Sequence, residues 1–151
     1  MIDAARGFLA LLQAPPAGDD ARLAALCLCL DRLALAYHSV PDTQPSDIEA
    51  PESDNEAYLD EVALAFPDFG LYPTVASDMQ SDPEIAMGDA QDDLVDIARD
   101  LTKVIWLSEN ADPADAAWEF RLGYRHHWGR QLHELRRYLH ARMFEADRSI
   151  S

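Results

Sequence analysis

The chain predicts an all-α fold, a single-domain bundle of about five helices with a long C-terminal one, and three observations carry that prediction. Apolar residues recur at helical spacing through most of its 151 residues. Asp19, Asp89 and Asp112 each stand just ahead of such a run, where a helix cap belongs. No stretch alternates at period two for long enough to require a strand. The composition, 48% apolar and 26% charged, is ordinary for a globular chain. A chain of this length buries enough surface for one core.

The first helix is expected over Ile2 to Gln13, with Ile2, Ala5, Phe8, Leu9 and Leu12 inward and Pro15-Pro16 stopping it. The second starts at Asp19, and Leu23, Leu26, Leu30, Leu33 and Tyr37 form a stripe that reads as central. Cys27 and Cys29 lie about 200° apart on it, so they read as packed thiols and not as a disulfide. Pro41, Pro45 and Pro51 among acids and hydroxyls make 39–54 a flexible, extended acidic loop. A short helix over Asn55 to Ala65 follows, then a turn at Phe69-Gly-Leu-Tyr-Pro73 and a polar loop from Ser77 to Pro83. The fourth helix runs from its Asp89 cap to about Leu107, with Leu94, Ile97, Ala98, Leu101, Val104 and Ile105 inward. The fifth opens on Asp112-Pro113, with Asp115 favoured by the helix dipole, and extends to about Phe144.

Charge is strongly segregated. The net charge is −16, yet Asp112 to Ser151 holds seven bases against six acids, which leaves five bases and 22 acids for the first 111 residues. Complementary fields predict that the last segment docks on the acidic part or shares a pocket with it. So acidic a chain disfavours nucleic acid, which is bound through clustered Lys and Arg. Basic protein partners or metal ions are what it would attract. No apolar run approaches a membrane span, and the opening lacks a secretory pattern, so the expected compartment is the cytoplasm.

A helical wheel with Leu132 at zero places Trp118, Trp128, Leu135, Leu139 and Met143 within about 60° of it, and Arg121, Arg125 and Arg136 fall on the same face. An arginine on a core face needs a partner. The expected ones are Asp93, Asp96 and Asp100 on the fourth helix, or Glu56, Asp60 and Glu61 on the third. Gly129, costly in a helix interior, implies close approach of another element. Glu119, His126, His133 and His140 recur every seven residues, a rise of about 10.5 Å between neighbours, so no two of these histidines share a metal.

The elements Asp92-Asp-Leu-Val-Asp-Ile-Ala-Arg-Asp-Leu101, Trp118-Glu-Phe-Arg121, His127-Trp-Gly129 and Arg137-Tyr-Leu-His140 occur in that order. In these the chain resembles an uncharacterised bacterial family known as domain of unknown function 5063, most closely from about Asp92 to His140. The resemblance implies a bacterial, helical, cytoplasmic domain in which Asp93, Asp96, Arg121, His127 and Trp128 hold motif positions. It implies no activity.

The candidate site is therefore Asp93, Asp96, Asp100, Arg121, Arg125, His127 and Trp128, with no catalytic or metal residue assigned and no cofactor implied. The preferred role is noncatalytic binding of a basic protein partner through the acidic surface. The alternative is a Mg²⁺-dependent phosphohydrolase or nucleotide-binding enzyme, with the three aspartates on the metal and Arg121 and Arg125 on phosphate. A homodimer through the long helix is compatible with both, although no particular residue requires it.

Overall fold

The computed structural model describes residues 1–75 and 84–145. It contains six α-helices and one small antiparallel sheet among those residues, so the chain is mainly helical but not strictly all-α. The helices are α1 (Ile2–Gln13), α2 (Asp19–Tyr37), α3 (Asn55–Ala65), α4 (Ala90–Asn110), α5 (Pro113–His126) and α6 (Trp128–His140). The hairpin strands are β1 (Leu71–Val75) and β2 (Ile85–Asp89), and a π-helical turn, Ala141–Glu145, follows α6. None of the described helices is long and apolar enough to cross a membrane.

Local signals set the helix starts. Asp54, Asp89 and Asp112 each accept hydrogen bonds from backbone N–H groups of the first turn that follows. At α5 the cap is a full capping box, in which Asp115 returns the bond to the Asp112 backbone and Pro113 supplies the first helical position. Centrality falls to α4, not to α2 or the C-terminal helix. Helices α1, α3, α5 and α6 all pack on it, and Leu94, Ile97, Ala98, Leu101 and Val104 are fully buried.

The long fifth helix is two helices. His127 leaves helical geometry (φ −127°, ψ −89°), and α6 restarts at Trp128. The cause is visible at two glycines. A Cβ on Gly129 would stand 1.9 Å from the Tyr124 carbonyl oxygen, and one on Gly123 would stand 2.4 Å from Trp128 Nε1. Gly129 does permit a close approach, but the approaching group is the backbone of the preceding turn. Trp128 folds back over Gly123 and meets Phe120 and Tyr124 edge-to-face, with ring centroids 5.1 and 5.3 Å away.

This break overturns the single helical wheel. On α6, Leu132, Leu135 and Leu139 are buried as expected. On α5 the buried apolar positions are Ala116, Ala117, Phe120 and Gly123, a face turned by roughly two-fifths of a revolution from the one that contains Trp118, Arg121 and Arg125. Trp118 and Arg121 are accordingly half-buried, and Arg125 is exposed.

The hairpin replaces part of what reads as turn and loop. Its register pairs Leu71 with Asp89, Pro73 with Met87 and Val75 with Ile85. Strands of five residues, one with a proline and the other with a glycine, are too short to establish an alternating pattern. Gly88 faces Tyr72 across the ladder, and a Cβ there would stand 2.3 Å from the tyrosine ring. Only glycine lets that ring lie flat and point its hydroxyl inward. The polar loop expected over Ser77 to Pro83 lies wholly outside the described residues.

Candidate functional site

The acidic segment after α2 is laid along α5 as an extended strap. Thr43 Oγ1 donates to the Ala114 carbonyl at 2.6 Å, and the Ser46 hydroxyl donates to Asp115 Oδ2 at 3.0 Å. The Ser46 backbone N–H donates to Asp115 Oδ1, and that bond is the main reason the buried Asp115 carboxyl is held below the usual carboxylate range. Glu52, near the strap's end, pairs with Lys103, the chain's only lysine, at 3.5 Å.

Beside this strap runs an open groove of about 400 Å³. One face of α4 supplies Asp96, Arg99, Asp100 and Lys103, because residues three and four apart on a helix are neighbours. Glu119 of α5, His127 at the break and Gln131 of α6 supply the opposite wall. A second recess of about 380 Å³ lies under the strap and shares Glu52, Lys103 and Glu119 with the first. The Glu52–Lys103 pair thus stands where the two spaces meet.

The groove is rich in carboxylates that are poorly matched with donors. Asp96 accepts a bond from Gln131 Nε2 at 2.6 Å and is 3.2 Å from Arg99 Nη2. Among the described residues Asp100 has only Arg99 Nε at 3.5 Å and His127 Nδ1 at 3.8 Å, beyond good hydrogen-bond length. Burial pushes its carboxyl above the usual range, against the opposing pull of Arg99, His127 and Lys103. Glu119 has no hydrogen-bond or ion-pair partner among the described residues, and burial together with the nearby Asp100 charge pushes it up in spite of Lys103. Among the described residues no three His, Cys, Asp or Glu side chains are placed to hold a metal ion together.

Three of the seven expected site residues, Asp96, Asp100 and His127, therefore come together, and four do not. Asp93 turns to the other side of α4, where its carboxyl is hydrogen-bonded with Tyr72 Oη. The same hydroxyl lies 3.1 Å from Glu134 Oε2, while Glu134 Oε1 accepts from Thr74 Oγ1 at 2.7 Å and Arg130 Nε at 3.0 Å. A hydroxyl has one proton and cannot donate to two carboxylates at once. Protonated Asp93 resolves this by donating to the tyrosine oxygen while Tyr72 donates to Glu134. Accordingly Asp93 is pushed up to about 6, chiefly by burial and then by Glu134, Asp96 and Asp89, with the Tyr72 bond opposing.

The arginines correct the expected pairing with α3 and α4. Arg121 donates to the Val40 carbonyl at 2.9 Å and lies 5.0 Å over the Tyr37 ring. Its nearest carboxylate is Asp42 of the strap, 3.9 Å from Nε, and that buried Nε has no hydrogen-bond partner among the described residues. Arg125 makes no ion pair or hydrogen bond among the described residues, and of the three arginines expected on the inward face only Arg136 finds a close carboxylate, Asp31 of α2 at 2.6 Å. The basic C-terminal segment is spent mainly on backbone. Arg130, Arg137 and Arg142 donate to the carbonyls of Val75, Pro73 and Asp68, closing off chain that has no helix to satisfy it. Trp128, fully buried, is a packing anchor. The arrangement of three aspartates on a metal beside Arg121 and Arg125 on phosphate is thus not assembled.

Sequence reasoning did not single out Arg99, Lys103 or Gln131, and it saw Glu119 only as a member of a heptad stripe. A signal was present: the lone lysine follows Asp96, Arg99 and Asp100 at helical spacing. Nothing local marks Tyr72 or Glu134, which meet across 62 residues of chain.

No curated protein matches the chain. It is similar in fold to the crystal structure of protein BF1032 from Bacteroides fragilis, a structural genomics target, with a TM-score of 0.72 and 18% identity over 95% of this chain and 92% of that one. The model of the family described as domain of unknown function DUF5063 matches residues 1–145, nearly the whole length, and the chain belongs to that family.

Proposed function

We propose that the protein is a noncatalytic interaction module that receives a basic side chain of a partner protein in the groove between α4, α5 and the break at His127. The observation that carries this reading is the pair Asp100 and Glu119, two groove carboxylates that burial penalises and that close donors do not compensate. A guanidinium or ammonium entering there would supply the missing donors and favour their ionised forms. The groove counts four carboxylates, Glu52, Asp96, Asp100 and Glu119, against Arg99 and Lys103, so its field also favours a cation. The unassembled metal and phosphate arrangement leaves no comparable support for phosphoryl chemistry.

The test is an NMR titration with an arginine- and glycine-containing peptide. Shifts should centre on Asp100, Glu119 and His127, and binding should weaken at least tenfold in the Asp100→Asn, Glu119→Gln double variant. The Glu56→Gln, Asp60→Asn double variant removes the same charge from the exposed face of α3 and should leave binding nearly unchanged. Equal losses in both variants would reduce the effect to net charge and end the proposal.

A further inference from the structure

The hairpin has one closed edge and one open edge. The bond from Ala90 N–H to the Gly70 carbonyl, 3.1 Å, sets the phase of the ladder. In an antiparallel pair, bonded and non-bonded couples alternate, so Tyr72–Gly88 and Thr74–Ala86 exchange bonds, while Pro73–Met87 and Val75–Ile85 point their backbone groups outward. Two contacts agree with this phase. Arg137 donates to the Pro73 carbonyl at 2.6 Å and Arg130 to the Val75 carbonyl at 2.9 Å, which closes the edge of β1. Pro73 has no N–H to leave unpaired.

On the other edge, the outward N–H and C=O groups of Ile85 and Met87 have no partner among the described residues. The side chains there are as open as the backbone. Ile85 is 84% exposed and Met87 60%, and Leu71 and Val75, on the same face of the ribbon, are 64% and 55% exposed. An apolar strand edge left open to water is a template for another strand, and folded proteins ordinarily blunt such edges. Here the blunting is confined to β1. Acidic residues bracket the open strand, with Glu84 ahead of it, Asp89 at its end and the exposed Asp92 after it.

We propose that the free edge of β2 is a docking edge, joined as a third strand by an extended segment of a partner protein that carries apolar residues at alternate positions and basic residues at its ends. Backbone groups of Ile85 and Met87 give the affinity, the apolar ribbon face takes the alternate side chains, and Glu84, Asp89 and Asp92 select the basic ends. No hairpin residue lines the groove, so either surface can fail without the other.

The probe is the peptide acetyl-Lys-Val-Thr-Val-Thr-Val-Lys-amide, compared with the same peptide N-methylated at alternate residues. Binding should shift the Ile85 to Asp89 amide resonances and slow exchange of the Met87 N–H. N-methylation should weaken it at least tenfold, because it removes the donors while keeping side chains and charge. Met87→Pro should weaken it similarly, since that N–H points away from β1 and its loss spares the ladder, whereas Met87→Leu, which keeps both the N–H and an apolar side chain, should weaken it far less. Equal binding of the two peptides, or shifts confined to other surfaces, would overturn the proposal. So would a concentration-dependent dimer that protects the Met87 amide without peptide, which would make a second copy the occupant.

Discussion

Replacing Asp93 by Asn tests the shared hydrogen bond beneath the hairpin through its pH dependence. The Asp93 carboxyl is raised from 3.8 in the unfolded chain to about 6 in the fold. The folded protein therefore binds this proton more tightly than the unfolded chain does. The contribution is fully present below about pH 4 and is lost as the pH rises through 6. A shift of about two pH units corresponds to about 3 kcal/mol, and residual solvent access at the site reduces our expectation to about 2 kcal/mol. Urea unfolding at several pH values between 4 and 8 measures it, with the two proteins compared at each pH. Asp92, Asp100 and Glu119 are also raised and add to the slope of both proteins, so the difference between the curves isolates Asp93. The Asn variant, neutral throughout and still able to donate to the Tyr72 oxygen, should lose stability less steeply and overtake the parent above pH 6. Parallel curves, or a variant that is destabilised more at pH 7.5 than at pH 4.5, would refute the shared-proton arrangement.

Gly129→Ala drives a Cβ into the Tyr124 carbonyl, 1.9 Å away, and should cost about 3 kcal/mol in chemical denaturation, with the Trp128 fluorescence environment altered. Arg125→Met, at an exposed position with no partner among the described residues, should change stability by less than about 0.5 kcal/mol. Arg121→Met should cost more, about 1–2 kcal/mol, because it abandons the Val40 carbonyl and the Tyr37 ring; equal effects of the two in parallel urea curves would contradict the rotated face of α5. Asp115→Asn weakens both the capping box and the Ser46 contacts, so proteolytic cleavage within 41–53 should accelerate relative to the rest of the chain. Because the Asp115 carboxyl is depressed, the parent should show the same acceleration as the pH falls below the ordinary carboxylate range.

The groove was only partly legible in the sequence. Asp96, Asp100 and the adjacent motif position His127 could be named from spacing and resemblance. That these three face Glu119, Lys103 and Gln131, and not Asp93 and Arg121, depends on which sides of α4 and α5 meet. Asp93 and Asp96 differ by three positions along one helix, and yet one serves the hairpin and the other the groove.

Helical periodicity and proline stops by themselves placed α1, α2 and α3, and aspartate caps fixed the starts of α4 and α5, because each signal acts within one turn of backbone. Asp19, expected as a cap, is instead the first residue of α2, which starts after Gly18 without a side-chain cap. Charge segregation, likewise readable, led to an expected pairing of the C-terminal arginines with carboxylates of the acidic part, which Arg136 meets at Asp31 while Arg121, Arg130, Arg137 and Arg142 take backbone carbonyls instead. Tertiary structure alone decided the break at His127, the hairpin and the partners of those arginines. The break arises from close packing of Trp128 over Gly123 and of the Tyr124 carbonyl against Gly129, and a glycine announces room for an approach without saying what will approach. Once the break turns α5, Arg121 points to the end of α2 and takes a carbonyl. Carbonyls stand along every segment outside a helix, and they can satisfy a guanidinium as well as the carboxylates that charge counting leads one to expect.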